Sequence, residues 1–334
     1  MATIVDVARL AGVSTSTVSH VVNGTRPVSE GARRRVLHAI QVTGYRQDSV
    51  ARSLRRARTD SVGLVVSDVG QPVFADMVRG VEHQATAAGY TLLLANSGEQ
   101  PEREARSLDA LVSRKVDGLI VAPVAHSAGQ ELAAIRRHGT PVVLMDRLGG
   151  IRTDQVGVEN TAPLRDLVLH MVGHGHRRIA LTAGELAVPT MAERHQGYLE
   201  ALYEAGIKPD PGLVITGPGL AEDTRAAVRA LLASPDRAPA IIASSTETAI
   251  GVLRAAADLG LRIPDDLRFA MFDGLPHVDL VQPRITTITQ PAFEVGSSAM
   301  QLLLRRLNGG MSVQNKTLRL KPTTTYRDSC GCGS

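Results

Sequence analysis

The chain has 334 residues, 43% of them hydrophobic and 21% charged, with a net charge of +4. This is globular composition at a length that suits two or three domains, and no apolar run approaches the roughly 20 residues of a membrane span. The only cysteines, Cys330 and Cys332, exclude a disulfide framework, and the opening MATIVDVARL carries Asp6 but no apolar signal core, so a reducing cytoplasmic setting is expected.

The first 58 residues hold ten arginines against Asp6, Glu30 and Asp48, while the remainder is slightly acidic. A small basic head on an acidic body fits a polyanion confined to the head. Three short helices are predicted there. Thr3, with Asp6 three residues on, caps the first, whose inner stripe is Val7, Ala8 and Ala11. Gly12 ends it, and Ser14 caps a second helix that runs to about Asn23 before Gly24. Ser29 caps a third, with Val36, Leu37 and Ile40 inward, closed by Gly44 before Tyr45. Two short helices joined by a tight glycine turn, with a third as support, make a helix-turn-helix pattern. In the second helix Val18, Val21 and Val22 form the apolar stripe. Thr15, Ser16, Ser19, His20 and Asn23 lie off it, and short hydroxyls at a helix start can bond base edges or phosphates in a major groove.

Residues 47–59 follow as a linker in which Val50, Ala51 and Leu54 share a helical face, although so short a helix is marginal alone. From Ser61 the pattern alternates. Strands are predicted at Val62–Val66, Thr91–Ala95, Gly118–Ala122, Val142–Met145, Ile179–Thr182, Ala240–Ala243 and Arg268–Phe272. Helices are predicted at Phe74–Ala88, Glu102–Arg114, Met191–Ala205 and Ala221–Ala233. Such alternation indicates α/β architecture with parallel sheets, and its length indicates two lobes.

The stretch ATIVDVARLAGVSTSTVSHVVNG, with the later Gly44-Tyr45, resembles the DNA-binding head of the lactose/galactose repressor family, above all its purine-responsive members. The match continues through GYTLLLANSG, VDGLIVAP, PVVLMDR, GHRRIALTAG, RHQGYLEAL, GLRIPDDL and FDGLP…ITTITQP, and so covers nearly the whole chain. The resemblance implies a head at 1–46, a hinge helix at 47–59 and a periplasmic-binding-protein-like body at 60–326. Lobe one would comprise about 60–160 plus 291–326 and lobe two about 161–290, with three crossovers, and 327–334 would be a mobile tail. It implies a homodimeric regulator on palindromic double-stranded operator DNA, controlled by a small molecule between the lobes.

Site residues carry over from the same resemblance. Thr3, Ser14, Thr15, Ser16, Thr17, His20, Asn23 and Tyr45 would contact DNA from the head. Ser53, Leu54 and Arg55 would do so from the hinge, with Leu54 wedging into a minor-groove step. Phe74, Thr190, Arg194, Thr246 and Asp273 would bind the effector, Arg194 through its planar fork of donors. Where purine-responsive members have an arginine and a ring-stacking phenylalanine, this chain has Val188 and Gly219, so a sugar or related polyol is the expected effector. Ser245-Thr246-Glu247 also departs from the family's usual amide or acid.

His170, His174 and His176 in HMVGHGHRR sit where the family turns from helix to strand, so they are expected to be structural, and Cys330-Gly331-Cys332 is expected to lie in a mobile end. No metal or other cofactor is expected. Neither a dinucleotide nor a triphosphate loop motif occurs, and Asp265-Asp266 fits a surface loop. A sugar receptor or a cleft enzyme sharing this body remains the alternative, but neither explains a basic head.

Overall fold

A computed structural model of the chain describes residues 2–45, 58–125, 129–274, 280, 282–309 and 314–332. It divides into two compact units, 1–59 and 60–334. The expected hinge residues Ser53, Leu54 and Arg55 lie outside the described residues.

The head consists of α1 (Ile4–Ala11), α2 (Thr15–Asn23) and α3 (Glu30–Thr43). Thr3 and Asp6 close a reciprocal capping box: the Thr3 amide donates to Asp6 over 2.9 Å, and the Thr3 hydroxyl accepts from the Asp6 amide. Those hydrogen bonds hold the Asp6 carboxyl below its ordinary pKa. Gly12 stops α1 at φ 62°, a left-handed turn that glycine adopts without a Cβ penalty. The core is Val7, Ala8, Ala11, Val18, Val36 and Ala39, with Val21, Val22, Ile40 and Tyr45 packed against it. Two expectations are corrected here. Leu37 is half exposed, because it lies about 100° around α3 from Val36 and the inward face runs through Val36, Ala39 and Ile40. Ser29 stands at the N-cap of α3 but makes no side-chain capping bond.

The body opens with β1 (Ser61–Val66), α4 (Pro72–Ala87), β2 (Thr91–Asn96), α5 (Pro101–Ser113), β3 (Gly118–Val121), α6 (Gly129–Arg137), β4 (Val142–Met145) and β5 (Asp154–Val158). The second lobe continues with α7 (Thr161–Gly173), β6 (Ile179–Gly184), α8 (Pro189–Glu204), β7 (Val214–Thr216), α9 (Ala221–Leu232), β8 (Ala240–Ala243), α10 (Thr246–Asp258), β9 (Arg268–Phe272) and β10 (Thr286–Thr289). The chain ends with α11 (Ala292–Gly309), β11 (Thr317–Leu320) and β12 (Thr323–Thr325).

Two six-stranded sheets result, in the orders β11-β5-β4-β3-β1-β2 and β12-β10-β9-β8-β6-β7. All pairings are parallel except that of β12 with β10. The two orders are the same up to relabelling, so β4 and β9 occupy equivalent places in their sheets, as do β1 and β6. Their strands are apolar on both faces because helices cover both, and the cores are built from Val, Leu, Ile, Met and Ala. Helix α4 meets α11 closely. A Cβ on Gly80 would collide with the Phe293 carbonyl, and one on Gly296 with the Met77 carbonyl.

The chain passes between the lobes three times among the described residues. Only Glu159-Asn160 separates β5 from α7, Gln290-Pro291 separates β10 from α11, and Lys321-Pro322 separates β11 from β12. The third passage corrects the expected lobe boundary: β12 pairs with β10 and so belongs to lobe two. The expected mobile tail is also corrected through residue 332. Ser329 and Cys330 are fully buried. The Ser329 hydroxyl donates to the Phe269 carbonyl over 2.6 Å and accepts from the Thr286 amide over 2.9 Å. The Gly/Ser composition of this end gives no hint of such long-range bonds.

Candidate functional site

In the head, α2 presents its hydroxyls as the sequence suggests. Ser14 caps the helix by accepting from the Thr17 amide over 3.2 Å, and its hydroxyl also lies 2.7 Å from that of Ser16 and 2.9 Å from that of Thr17. Thr15 and Ser16 are exposed in the first turn, where backbone N–H groups and the helix dipole favour an anion. His20 is half-buried, with Nδ1 2.8 Å from the Thr25 hydroxyl, and Asn23 turns its amide nitrogen back to the Ser19 carbonyl over 2.8 Å. Exposed Arg26, Arg33 and Arg34 add positive charge to the same small unit. Thr3 and Tyr45 take other places: Thr3 engages its hydroxyl with Asp6, and Tyr45 packs on the core.

In the body, polar residues gather where parallel strands end. Ser67, Asp146, Ser244, Asp273 and Gln290 each follow directly on β1, β4, β8, β9 and β10, and all but Gln290 are buried. In open α/β sheets this carboxyl edge is where ligands are held. Asp146 and Asp273 occupy the equivalent places of the two lobes and share a left-handed backbone, φ 67° and 64°. That conformation is costly for a residue with a Cβ and is concentrated at functional sites.

Arg194, on α8, lies at the centre and is only 2% exposed. Its Nε donates to Asn160 Oδ1 over 2.9 Å, and Nη1 to the Ser244 carbonyl over 2.5 Å and to Asp273 Oδ2 over 3.4 Å. Its guanidinium carbon stands 3.6 Å above the Phe272 ring, a cation–π contact that stabilises a desolvated charge. Nη2 makes no hydrogen bond among the described residues and keeps two donors. Gln290 donates through Nε2 to Asp273 Oδ1, while its own Oε1 is buried with no donor among the described residues. The Ser67 hydroxyl is likewise buried without such a partner.

The Asp146 carboxyl is pushed up to about 6, mainly by burial, with Asp273 and Glu99 adding to the rise and Arg147 and Arg194 opposing it. Arg147 is itself committed: its Nη1 donates to Glu99 over 2.8 Å and to the Pro123 carbonyl over 3.0 Å, and its Nη2 makes a second bond to Glu99. The site therefore offers acceptors at Asp273, Asp146 and Gln290, and donors at Arg194 and Ser67. Beside it a cavity of about 180 Å³ lies between the lobes, lined by Pro72, Val73, Asp273, Gly274 and Gln290 among others. A second, of about 190 Å³, runs from Val124 and Leu148 to Ala187 and Pro189. Among the described residues neither is lined by an aromatic ring.

Of the expected effector residues, Arg194 and Asp273 come together. Thr190 and Thr246 are buried in the first turns of α8 and α10, and the Thr246 hydroxyl is spent on the Gly274 carbonyl at 3.2 Å. Phe74 lies in the first turn of α4 and packs into the lobe-one core, with Pro72 and Val73 next to it on the cavity wall. Sequence reasoning missed Asp146, Asn160 and Gln290. A signal for Asp146 existed, since VVLMD and FAMFD are the same strand-to-aspartate pattern in the two lobes.

Residues 3–48 match the model for bacterial regulatory proteins of the lacI family, and residues 168–330 match that for a periplasmic binding protein-like domain. The chain is 34% identical over 332 residues to the ribose operon repressor of Escherichia coli K12, covering 98% of this chain and all of that one. It is 33% identical over 331 residues to the HTH-type transcriptional repressor PurR of Mannheimia succiniciproducens, covering 98% of each. Among solved structures, the transcriptional regulator CelR in complex with cellobiose superposes with a TM-score of 0.73 at 31% identity, covering 98% of this chain and all of the other. With the helix-turn-helix unit, the paired parallel sheets and the polar ring at their carboxyl edge, these matches show that the chain belongs to the lacI family of bacterial regulatory proteins.

Proposed function

We propose that the chain is a transcriptional repressor that binds a palindromic operator as a homodimer and is controlled by a polyhydroxylated small molecule, a sugar or related polyol, held between its lobes. The observation that supports this effector class most is the mixed ring around Arg194. Each hydroxyl of a polyol both donates and accepts, and so can satisfy Asp273, Asp146 and Gln290 on one side and Arg194 Nη2 on the other. Among the described residues the cavities have no ring for stacking a flat purine, and the similar regulator CelR, solved in complex with cellobiose, supports a sugar as effector. Among the head residues Thr15, Ser16 and His20 are the base readers, Ser14 and Thr17 position the helix, and Asn23 braces its end. Ser53, Leu54 and Arg55 act in the minor groove between half-sites. No enzymatic step is assigned.

The test has two arms. Selection from a random duplex library should return a palindrome bound by full-length protein. A thermal-shift panel of neutral sugars, polyols, nucleosides and purine bases should give its largest stabilisation with a sugar or polyol, and that compound should change operator affinity. A response to purines alone would overturn the effector class, and failure to prefer any duplex would overturn the regulatory reading.

A further inference from the structure

Two pairs of metal-ligating side chains, far apart in sequence, meet on lobe two. His170 lies on α7 and His174 one turn on at its C-cap, so their rings project from the same face, with centroids 4.6 Å apart. Cys330 and Cys332 flank Gly331, whose φ of 85° reverses the chain so that both thiols reach the same side. Cys332 Sγ lies 3.0 Å from His170 Nε2 and 3.5 Å from His174 Nε2. Cys330 Sγ lies 3.5 Å from His170 Nε2 and 2.9 Å from Cys332 Sγ. We propose that His170, His174, Cys330 and Cys332 form a closed Cys2His2 site for a thiophilic metal ion of the zinc class.

The donor set and spacing carry the assignment. Two thiols and two imidazoles, with no carboxylate among them, select zinc over magnesium or calcium. A tetrahedral ion with Zn–S of about 2.3 Å and Zn–N of about 2.0 Å sets sulfur-to-nitrogen edges near ~3.5 Å and a sulfur-to-sulfur edge near ~3.8 Å. Of the four sulfur-to-nitrogen edges, those from Cys330 to His170 and from Cys332 to His174 already have that length, and that from Cys332 to His170 is shorter, at 3.0 Å. Closing the tetrahedron parts the sulfurs by about 1 Å and draws in His174, whose ring lies outside the 4.8 Å spacing that His170, Cys330 and Cys332 share; both shifts fall on half-buried Cys332 and exposed His174, while Cys330 stays fixed in the core of lobe two. All four ligands come from the protein, so the site has a structural role and no open position for substrate. The ion ties α7, which follows the passage at Asn160, to the tail that follows the passage at Lys321-Pro322. The sequence pattern is H-x3-H followed by C-x-C, and each half alone is too common to signal anything. This assignment is independent of the DNA and effector readings.

The test uses untagged, full-length protein purified under reducing conditions without chelator. Elemental analysis should find about one zinc per chain. After its removal, one equivalent of cobalt(II) should give the visible bands of a tetrahedral ion together with thiolate-to-cobalt charge transfer. Cys332→Ser and His174→Gln are chosen because both side chains are partly or fully exposed; each should lower cobalt affinity at least tenfold while leaving the circular dichroism of the chain unchanged. Three results would each overturn the assignment: no retained metal with only the octahedral aquo spectrum, cobalt binding that neither variant changes, or a Cys330–Cys332 disulfide, seen as a mass lower by two hydrogens in reducing buffer.

Discussion

Asn160 Oδ1 accepts the hydrogen bond of Arg194 Nε over 2.9 Å, so a residue of the first interlobe passage grips the central cation of the proposed effector site. The same asparagine donates through Nδ2 to Glu193 over 2.8 Å, and Glu193 in turn meets Arg319 on β11 over 2.6 Å. Burial raises the Glu193 carboxyl, but the bonds from Arg319 and Asn160 outweigh it and hold the group below its ordinary pKa.

Asn160→Ala leaves the Arg194 Nε–H buried without an acceptor. A loss of about 1–3 kcal/mol in folding stability is expected, and Arg194→Ala, which leaves buried Asp273 without its cation, should cost about 3–5 kcal/mol. Urea unfolding measures both. In the folded fraction, the effector response should be weakened by Asn160→Ala and abolished by Arg194→Ala, with operator affinity retained. An unchanged dose response in Arg194→Ala would show that the effector binds elsewhere.

The pH dependence of stability has a definite sign at Asp146. Its folded pKa of about 6 exceeds the ordinary aspartate value of 3.8, so the folded chain holds this proton more tightly than the unfolded one. The contribution is fully present below about pH 4 and is lost as pH rises through about 6. About two pKa units correspond to roughly 3 kcal/mol. Asp146→Asn should remove this component, so the difference in urea midpoint between variant and parent should grow from pH 4 to pH 7. Parallel curves would place the titration on another group.

Operator binding should weaken steeply with salt, because each phosphate neutralised by a head arginine releases counterions with a log–log slope of about −0.9 per contact. Arg33→Ala or Arg34→Ala should make that slope shallower and weaken binding to all duplexes alike. Fluorescence anisotropy from low to moderate salt measures it, and a flat response would remove the head from the docking surface.

Ser14 and Ser16 separate folding from reading. Ser14→Ala deletes a helix cap and should cost about 1 kcal/mol in head stability. Ser16→Ala should leave stability within about 0.5 kcal/mol, as for other surface changes, yet alter base preference in a library selection. His20→Ala should also relax specificity, with an added loss from its bond to Thr25. Equal behaviour of Ser14→Ala and Ser16→Ala in both assays would contradict this division.

Leu54→Ala is expected to lower affinity for the selected operator about tenfold or more while sparing random duplex, since a wedge acts only where the minor groove opens. Equal losses on both would remove the wedge role.

Much of the architecture was legible in the chain. The central strands β1, β3, β4, β6, β8 and β9 are short apolar runs between helical stretches, and the structure places them within a residue or two of the predicted spans. The strands that were missed are β5, β7, β10, β11 and β12. DQVGV mixes an acid and a glycine into β5 because Asp154 is buried against Arg306 at 2.7 Å. TTIT and TTT carry hydroxyls, and TLRL runs along an edge with alternating exposure. Such strands are fixed by neighbours distant in sequence rather than by local pattern. The site divides in the same way. Arg194 and Asp273 stood in recognisable motifs, whereas Asn160 and Gln290 acquire their roles only when two-residue connections bring them beside those partners.

The brevity of those connections has a mechanical consequence. Three covalent steps of extended chain reach at most about 11 Å, which caps the length of every link between β5 and α7, β10 and α11, and β11 and β12. Three such short links limit parting of the halves and favour angular articulation between them. Asn160 and Gln290 sit in two of the three joints and hold Arg194 and Asp273 directly. A guest molecule pulling on those two side chains therefore applies torque at the fulcrum, where a fraction of an ångström becomes a far larger sweep at the lobe tips.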